Sequence, residues 1–113
     1  MNLDFDVIVL SEIWNYNLEF YYNVLVNYNF HFVVSETSKV GGVGIFVKNT
    51  LVVHELEQLQ IPSTADSMIE NLWLEIIRGN RKYIVGGIYR HPNQKIDEFN
   101  YLLDNCLLVI QKN

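Results

Sequence analysis

Apolar residues in the first half of the chain recur with the spacing of strands and of one short helix. Residues 7–10 are continuously apolar, which is typical of a strand covered on both faces. Residues 29–36 are aromatic and β-branched and predict a second strand, and residues 43–48 predict a third. A helix between the first two strands is predicted from apolar residues at helical spacing: Leu18, Tyr21, Tyr22 and Leu25.

The middle of the chain predicts a hairpin followed by a loop. The apolar pattern continues after the polar pair at 49–50, so the simplest interpretation is a hairpin between residues 43–48 and 51–58. Residues 61–71 contain a proline and several Ser, Thr and Asp turn formers, and they predict the longest loop.

The last third predicts a second hairpin and a closing helix. Residues 71–78 and 81–90 flank Gly79 and Asn80, a pair suited to a two-residue hairpin turn. One helical stripe then follows, formed by Ile96, Phe99, Leu102, Leu103, Cys106, Leu107 and Ile110. Strand, helix, four or five mostly antiparallel strands and a final helix together predict an α+β fold of packed layers.

Composition narrows the class of protein only slightly. With 113 residues, half of them apolar, the chain is one domain at most or a piece of a larger one, with ample material for a core. A net charge of -5 argues against a free-standing nucleic-acid binder, but less so for a nuclease whose metal supplies positive charge. The single cysteine fits a reducing compartment, and no apolar run is long enough to predict a membrane span.

Two strand ends carry the residues of most chemical interest. Glu12 directly follows an apolar strand, where it is either an ordinary solvent-facing acid or a ligand. Tyr89 lies near the end of the last predicted strand, which is followed by His91 and Pro92. This segment is either an ordinary end of a strand or part of a site. Other residues are interpreted as structural: Trp14, His31, His54, Trp73, Glu75 and Cys106. The glycines of "GGVG" lack the Lys-Ser/Thr ending of a phosphate loop.

Three segments, taken in order, resemble the endonuclease/exonuclease/phosphatase superfamily. They are "DFDVIVLSEIW", "GGVGIFVKN" and "YIVGGIYRHPNQKIDEFNYLLDNCL". The motifs "SEIW" and "YRHP", with "ENLWLEI" between them, are most similar to those of the apurinic-type endonuclease domains of non-LTR retrotransposons. The resemblance implies a DNase I-like four-layer α/β/β/α sandwich, with a site where the strand ends of both sheets converge.

The resemblance also implies roles for individual residues. The metal-binding acid of the family falls on Glu12, for Mg²⁺ or Mn²⁺, and a carboxylate suits such hard cations. The family's strand-exit tyrosine, which contacts the scissile phosphate or helps position the nucleophile, falls on Tyr89. Asn93 is the counterpart of a substrate-binding asparagine, although this chain has an extra residue before its proline. His91 does not match the family's catalytic histidine.

The implied reaction is metal-assisted hydrolysis of a DNA phosphodiester, which in a retrotransposon nicks target DNA to prime reverse transcription. DNA would be the partner, with a downstream reverse transcriptase in the same polyprotein. Localisation would be intracellular, and nuclear in an active element. No membrane partner is expected.

Residues 1–113 correspond to only part of the family's domain. The first strand with its Asn ligand, the Gly-Asp-x-Asn segment and the Ser-Asp-His segment are not among them. We therefore expect these residues alone to be inactive, and one sheet to lack the partner that covers its inner face. Two alternatives remain open: a lipid-directed phosphodiesterase of the same superfamily, and a non-catalytic interaction module built on the same half-fold.

Overall fold

The computed structural model describes residues 5–13, 18–35, 41–62 and 69–91, together with helical positions 96–97, 100–101, 103–105 and 107. The elements are β1 (Val7–Ser11), α1 (Leu18–Val24), β2 (Tyr28–Val33), β3 (Val43–Lys48), β4 (Val52–Glu55), a 3₁₀ turn (Glu57–Leu59), β5 (Ile69–Arg78) and β6 (Arg81–Arg90). They form two antiparallel three-stranded sheets, ordered β1-β3-β2 and β4-β5-β6. The predicted α+β class is confirmed.

The two sheets pack face to face through their central strands. Alternate residues of β3 and β5 form one buried cluster: Val43, Ile45, Val47, Leu72, Leu74 and Ile76. This follows from the strand period of two, which directs every second side chain to the same face. Each sheet therefore covers the other, and the expectation of an uncovered inner face is wrong for these central strands.

Helical segments lie against the outer faces of the sheets. On the first sheet, outward-facing Phe30 and Phe46 pack with Ile13 and Leu25, and α1 adds partly buried side chains to this cluster. On the second sheet, Trp73 packs in a cluster that includes Leu103 of the closing helical segment. Among the described residues, no helix is long and apolar enough to cross a membrane.

The predicted hairpin between residues 43–48 and 51–58 is wrong. β3 already pairs with β1 on one side and with β2 on the other, so it has no free edge to offer β4. The turn after Lys48 instead carries the chain to the second sheet, where β4 pairs with β5. Hairpin β5–β6 is confirmed, with Arg78 opposite Arg81 across a two-residue turn.

Several element boundaries differ from the sequence-based prediction. β5 begins at Ile69, inside the predicted loop at 61–71, because its ladder with β6 continues as far as Ile69 opposite Arg90. β2 ends at Val33 rather than at residue 36, which lies outside the described residues. β1 is an edge strand with Val9 46% exposed, and so is not covered on both faces.

The residues interpreted as structural lie mainly where expected. Trp73 is buried, and its ring nitrogen donates a hydrogen bond to Asn71. His31 is half-buried and His54 is exposed, and both lie in strands, as predicted. Trp14 and Cys106 lie outside the described residues.

Candidate functional site

Glu12 and Tyr89, both predicted site residues, are brought together by the fold. The Tyr89 hydroxyl donates a hydrogen bond to Oε1 of Glu12 over 3.1 Å, although the two residues are 77 positions apart in the chain. Glu12 follows the last residue of β1 in the first sheet, and Tyr89 lies near the end of β6 in the second. The two strand ends therefore converge at one end of the sandwich.

The backbone of Glu12 is held in a left-handed conformation. Its φ is 57°, a region that glycine adopts readily and that other residues adopt only at a cost. The Glu12 N–H donates to the carbonyl oxygen of Gly42 over 2.8 Å, which fixes this residue against the start of β3. Such backbone strain is concentrated at functional sites, because there the side-chain direction matters more than local stability.

A buried carboxylate–imidazole pair lies beside these residues. Nε2 of His91 is 2.8 Å from each carboxylate oxygen of Glu70, and both residues are almost fully buried. Glu70 lies directly opposite Tyr89 in the β5–β6 register, so the two side chains project from the same face of the sheet. The His91 ring meets the Tyr89 ring edge-on, with centroids 4.9 Å apart.

The Gly41–Gly42 turn is shaped around this pair. Both glycines have positive φ, 88° and 93°. A Cβ on Gly41 would collide with Oε1 of Glu70, and the Gly42 N–H donates to that same oxygen over 2.9 Å. The turn is therefore glycine because backbone must approach a carboxylate closely, and it is not a phosphate loop.

The environment of Tyr89 disfavours the loss of its proton. Burial raises the pKa of the Tyr89 hydroxyl above its ordinary value, and the hydrogen bond to Glu12 and the negative charges of Glu12 and Glu70 raise it further. The hydroxyl is thus kept as a donor at neutral pH. It can orient a carboxylate or meet an anionic oxygen, but it is not a ready base.

Glu12 has the chemistry of a divalent-cation ligand. Its carboxylate is exposed, and Tyr89 engages one of its two oxygens. Mg²⁺ keeps several waters and uses only one or two protein carboxylates, so an exposed carboxylate held by a neutral hydroxyl fits it. The part of the chain that the structure describes contains no group of three or more metal-ligating residues. Here Glu12 would be the principal protein ligand.

The remaining candidate residues lie away from Glu12 or outside the described ranges. Asn93 falls outside the described residues. Glu75 lies opposite His54 in the β4–β5 register, on the outer face of its sheet. Its interpretation as structural is consistent with that position.

Glu70 is the residue that sequence reasoning missed. It falls in the predicted loop at 61–71, where the sequence pattern predicts no facing direction for a side chain. The alternation of side chains along β5 indicates that Glu70 faces inward, because it lies two and four residues before the inward-facing Leu72 and Leu74. A buried acid at such a position needs a partner, and His91 provides it.

Comparisons with known proteins leave the family open. No family model matches the chain, and neither a curated protein nor a solved structure matches it significantly.

Proposed function

We propose that this chain is part of a Mg²⁺-dependent endonuclease domain of the endonuclease/exonuclease/phosphatase type, which hydrolyses DNA phosphodiester bonds. The observation that carries the proposal is the 3.1 Å hydrogen bond between Tyr89 and Glu12. The resemblance assigns these two residues to one site, and they lie in contact although they are far apart in the chain. A chance similarity of short motifs gives no reason for them to meet.

The layered packing supports the same proposal. Two antiparallel sheets lie face to face, with helical residues against each outer face. In the proposed DNase I-like four-layer sandwich, the site lies where strands of both sheets end. Glu12 and Tyr89 occupy such a position, one from each sheet.

The roles of the two residues follow from their chemistry. A bound divalent cation would neutralise charge on the phosphate oxygens. Glu12 would hold that cation through its carboxylate. Tyr89 would keep the Glu12 side chain in place by donating its one hydroxyl hydrogen to the carboxylate, and it would donate to a phosphate oxygen only by giving up that hydrogen bond.

We further propose that these 113 residues do not hydrolyse DNA by themselves. Hydrolysis also needs groups that orient and deprotonate water, and the resemblance assigns these to segments that are not among these residues. Groups that act as a unit fail together when some are missing. These 113 residues would supply the portion of the site that binds the cation and faces the phosphate.

The first experiment is a titration of the chain with Mn²⁺, which prefers the same oxygen ligands as Mg²⁺. We expect saturable binding that is weakened at least about tenfold in Glu12→Gln, because the substitution removes the charged ligand. Glu55→Gln is the matched control, since Glu55 is also an exposed acid that bonds a neighbouring side chain. Equal affinity in the wild-type chain and Glu12→Gln would contradict the proposal.

A nicking assay on supercoiled DNA with Mg²⁺ tests the expected inactivity. We expect no nicking above background. Nicking that Glu12→Ala abolishes would contradict the claim of inactivity while supporting the endonuclease assignment. Hydrolysis of phosphoinositide vesicles instead of DNA would favour the lipid-directed alternative.

A non-catalytic interaction module is the second candidate function, and one structural feature favours it. The side of the sandwich formed by edge strands β1 and β6 exposes apolar residues, including Val9 and Tyr83. A cavity of about 350 Å³ opens there, at the far end of β1 from Glu12, and is lined partly by Val7, Tyr83 and Val85. This function predicts specific partner binding that survives both Glu12→Ala and Tyr89→Phe.

A further inference from the structure

Five residues around the candidate site form a closed ring of contacts. Glu12 N–H bonds the carbonyl of Gly42, and Gly42 N–H bonds the carboxylate of Glu70. Glu70 bonds the ring of His91, which packs edge-on against Tyr89. Tyr89 returns to the Glu12 carboxylate. The ring links both sheets, and only the Glu12–Tyr89 side of it is exposed enough to meet a ligand.

We propose that Glu70 and His91 are positioning residues that set the affinity of Glu12 for a divalent cation without touching the cation. This inference rests on the proposed function, because it names what supports the same site. Glu70 acts on Glu12 through the backbone of Gly42. His91 acts on it through the ring and hydroxyl of Tyr89.

The geometry of the pair suits a fixing role. Because an ionised carboxylate only accepts hydrogen bonds, the His91 Nε2 atom carries the hydrogen shared between the two oxygens of Glu70. One of those oxygens also accepts from Gly42, so the carboxylate has a single well-defined orientation. Both side chains are buried, and hydrogen-bonded polar groups in a buried setting restrict one another's orientation. Groups behind a ligand that orient it in this way typically change metal affinity by about 10- to 100-fold when substituted.

A second histidine–glutamate pair gives a matched control. His31 on β2 bonds Glu55 on β4 over 3.2 Å and links the two sheets at their other edge. This pair joins the same two side-chain types and shares no contact with Glu12 among the described residues, but it is more exposed than the Glu70–His91 pair. If the loss of any histidine–glutamate pair lowers cation affinity, substitutions in both pairs will lower it. If positioning of Glu12 is the cause, only substitutions of Glu70 and His91 will lower it.

The test is Mn²⁺ affinity in Glu70→Gln and His91→Gln, with His31→Gln and Glu55→Gln as controls. We expect the first two substitutions to weaken binding about tenfold or more and the controls to leave it within about twofold. The double variant Glu70→Gln/His91→Gln, in which two amides can bond each other, is expected to recover part of the loss. Asn71→Ala controls for stability, since it removes buried hydrogen bonds from the other face of β5.

Three outcomes overturn the proposal. They are unchanged affinity in folded Glu70→Gln and His91→Gln, equal losses in the His31 and Glu55 controls, and an equal loss in Asn71→Ala. If the wild-type chain binds no Mn²⁺ through Glu12, the proposed function fails separately. In that case the positioning role is tested by nuclear Overhauser contacts between the Tyr89 ring and Glu12. Glu70→Gln is expected to weaken these contacts, and their persistence in that variant would overturn the proposal.

Discussion

At the scale of single residues, Glu12 combines a costly backbone conformation with an exposed side chain. A left-handed φ is uncommon for a residue other than glycine and asparagine, and it gains Glu12 no burial. It does turn the chain out of β1 so that the carboxylate meets Tyr89. The same bend places the next residue, Ile13, in the buried cluster on the outer face of the sheet, so both this packing and the contact with Tyr89 offset the cost of the strained backbone.

Replacing Glu12 by glycine and by alanine separates this strain from the loss of the carboxylate. Both variants lose the hydrogen bond to Tyr89, but only glycine tolerates the left-handed φ. We expect Glu12→Gly to be more stable than Glu12→Ala by about 1 kcal/mol in urea unfolding. Asn27, at φ 70°, gives the matched comparison of Asn27→Gly with Asn27→Ala. Equal stability of the two Glu12 variants would contradict the left-handed assignment.

The pKa of Tyr89 gives a pH-dependent prediction. It is raised by burial first and then by Glu12 and Glu70, so the folded state holds this proton more tightly than the unfolded state, whose tyrosine pKa is about 10. The stabilisation is therefore fully present below that pH and is lost as pH rises through the folded-state pKa. Alkaline titration of tyrosinate absorbance, wild type minus Tyr89→Phe, is expected to show one tyrosine that ionises late. Glu12→Gln is expected to lower that pKa only in part, since burial and Glu70 remain.

At the scale of elements, the sequence predicted the strands better than their partners. The bounds of the third strand, 43–48, and the β5–β6 hairpin agree with the structure, because local periodicity and turn chemistry determine both. The partner of β4 does not depend on local sequence. It depends on β3 having both edges occupied, one of them by β1 from much earlier in the chain.

The same limit applies to the candidate site. Glu12 and Tyr89 were identified because strand ends and motif resemblance are local features. Glu70 and His91 were not recognised as a pair, since their contact depends on where β5 begins and on the β5–β6 register. A two-residue error in a strand boundary was enough to hide a buried acid.

The Gly41–Gly42 turn yields a prediction with an internal control. Gly41→Ala and Gly79→Ala both place a side chain at positive φ, but only the first meets a neighbouring atom within 4 Å. We expect Gly79→Ala to cost about 1 kcal/mol, the left-handed penalty alone. Gly41→Ala is expected to cost about 1–3 kcal/mol more, because the new methyl displaces the Glu70 carboxylate. Similar unfolding free energies for the two variants would show that Glu70 is not held against Gly41.

At the scale of the whole molecule, the candidate site depends on the packing of one sheet on the other. Glu12 and Gly42 adjoin strands of the first sheet. Glu70 and Tyr89 lie in the second sheet, and His91 directly follows it. The cluster of β3 and β5 residues holds the two halves of the site in register. The proposed cation binding at Glu12 therefore requires the folded sandwich.

The most direct test of cation binding at Glu12 is a map of paramagnetic line broadening by Mn²⁺ across the amide and aromatic signals of the chain. We expect the signals of Glu12, Tyr89 and Gly42 to broaden first and Glu12→Gln to remove this broadening. Broadening that begins instead around Glu55 and Glu57, or that is spread evenly over exposed acids, would contradict cation binding at Glu12.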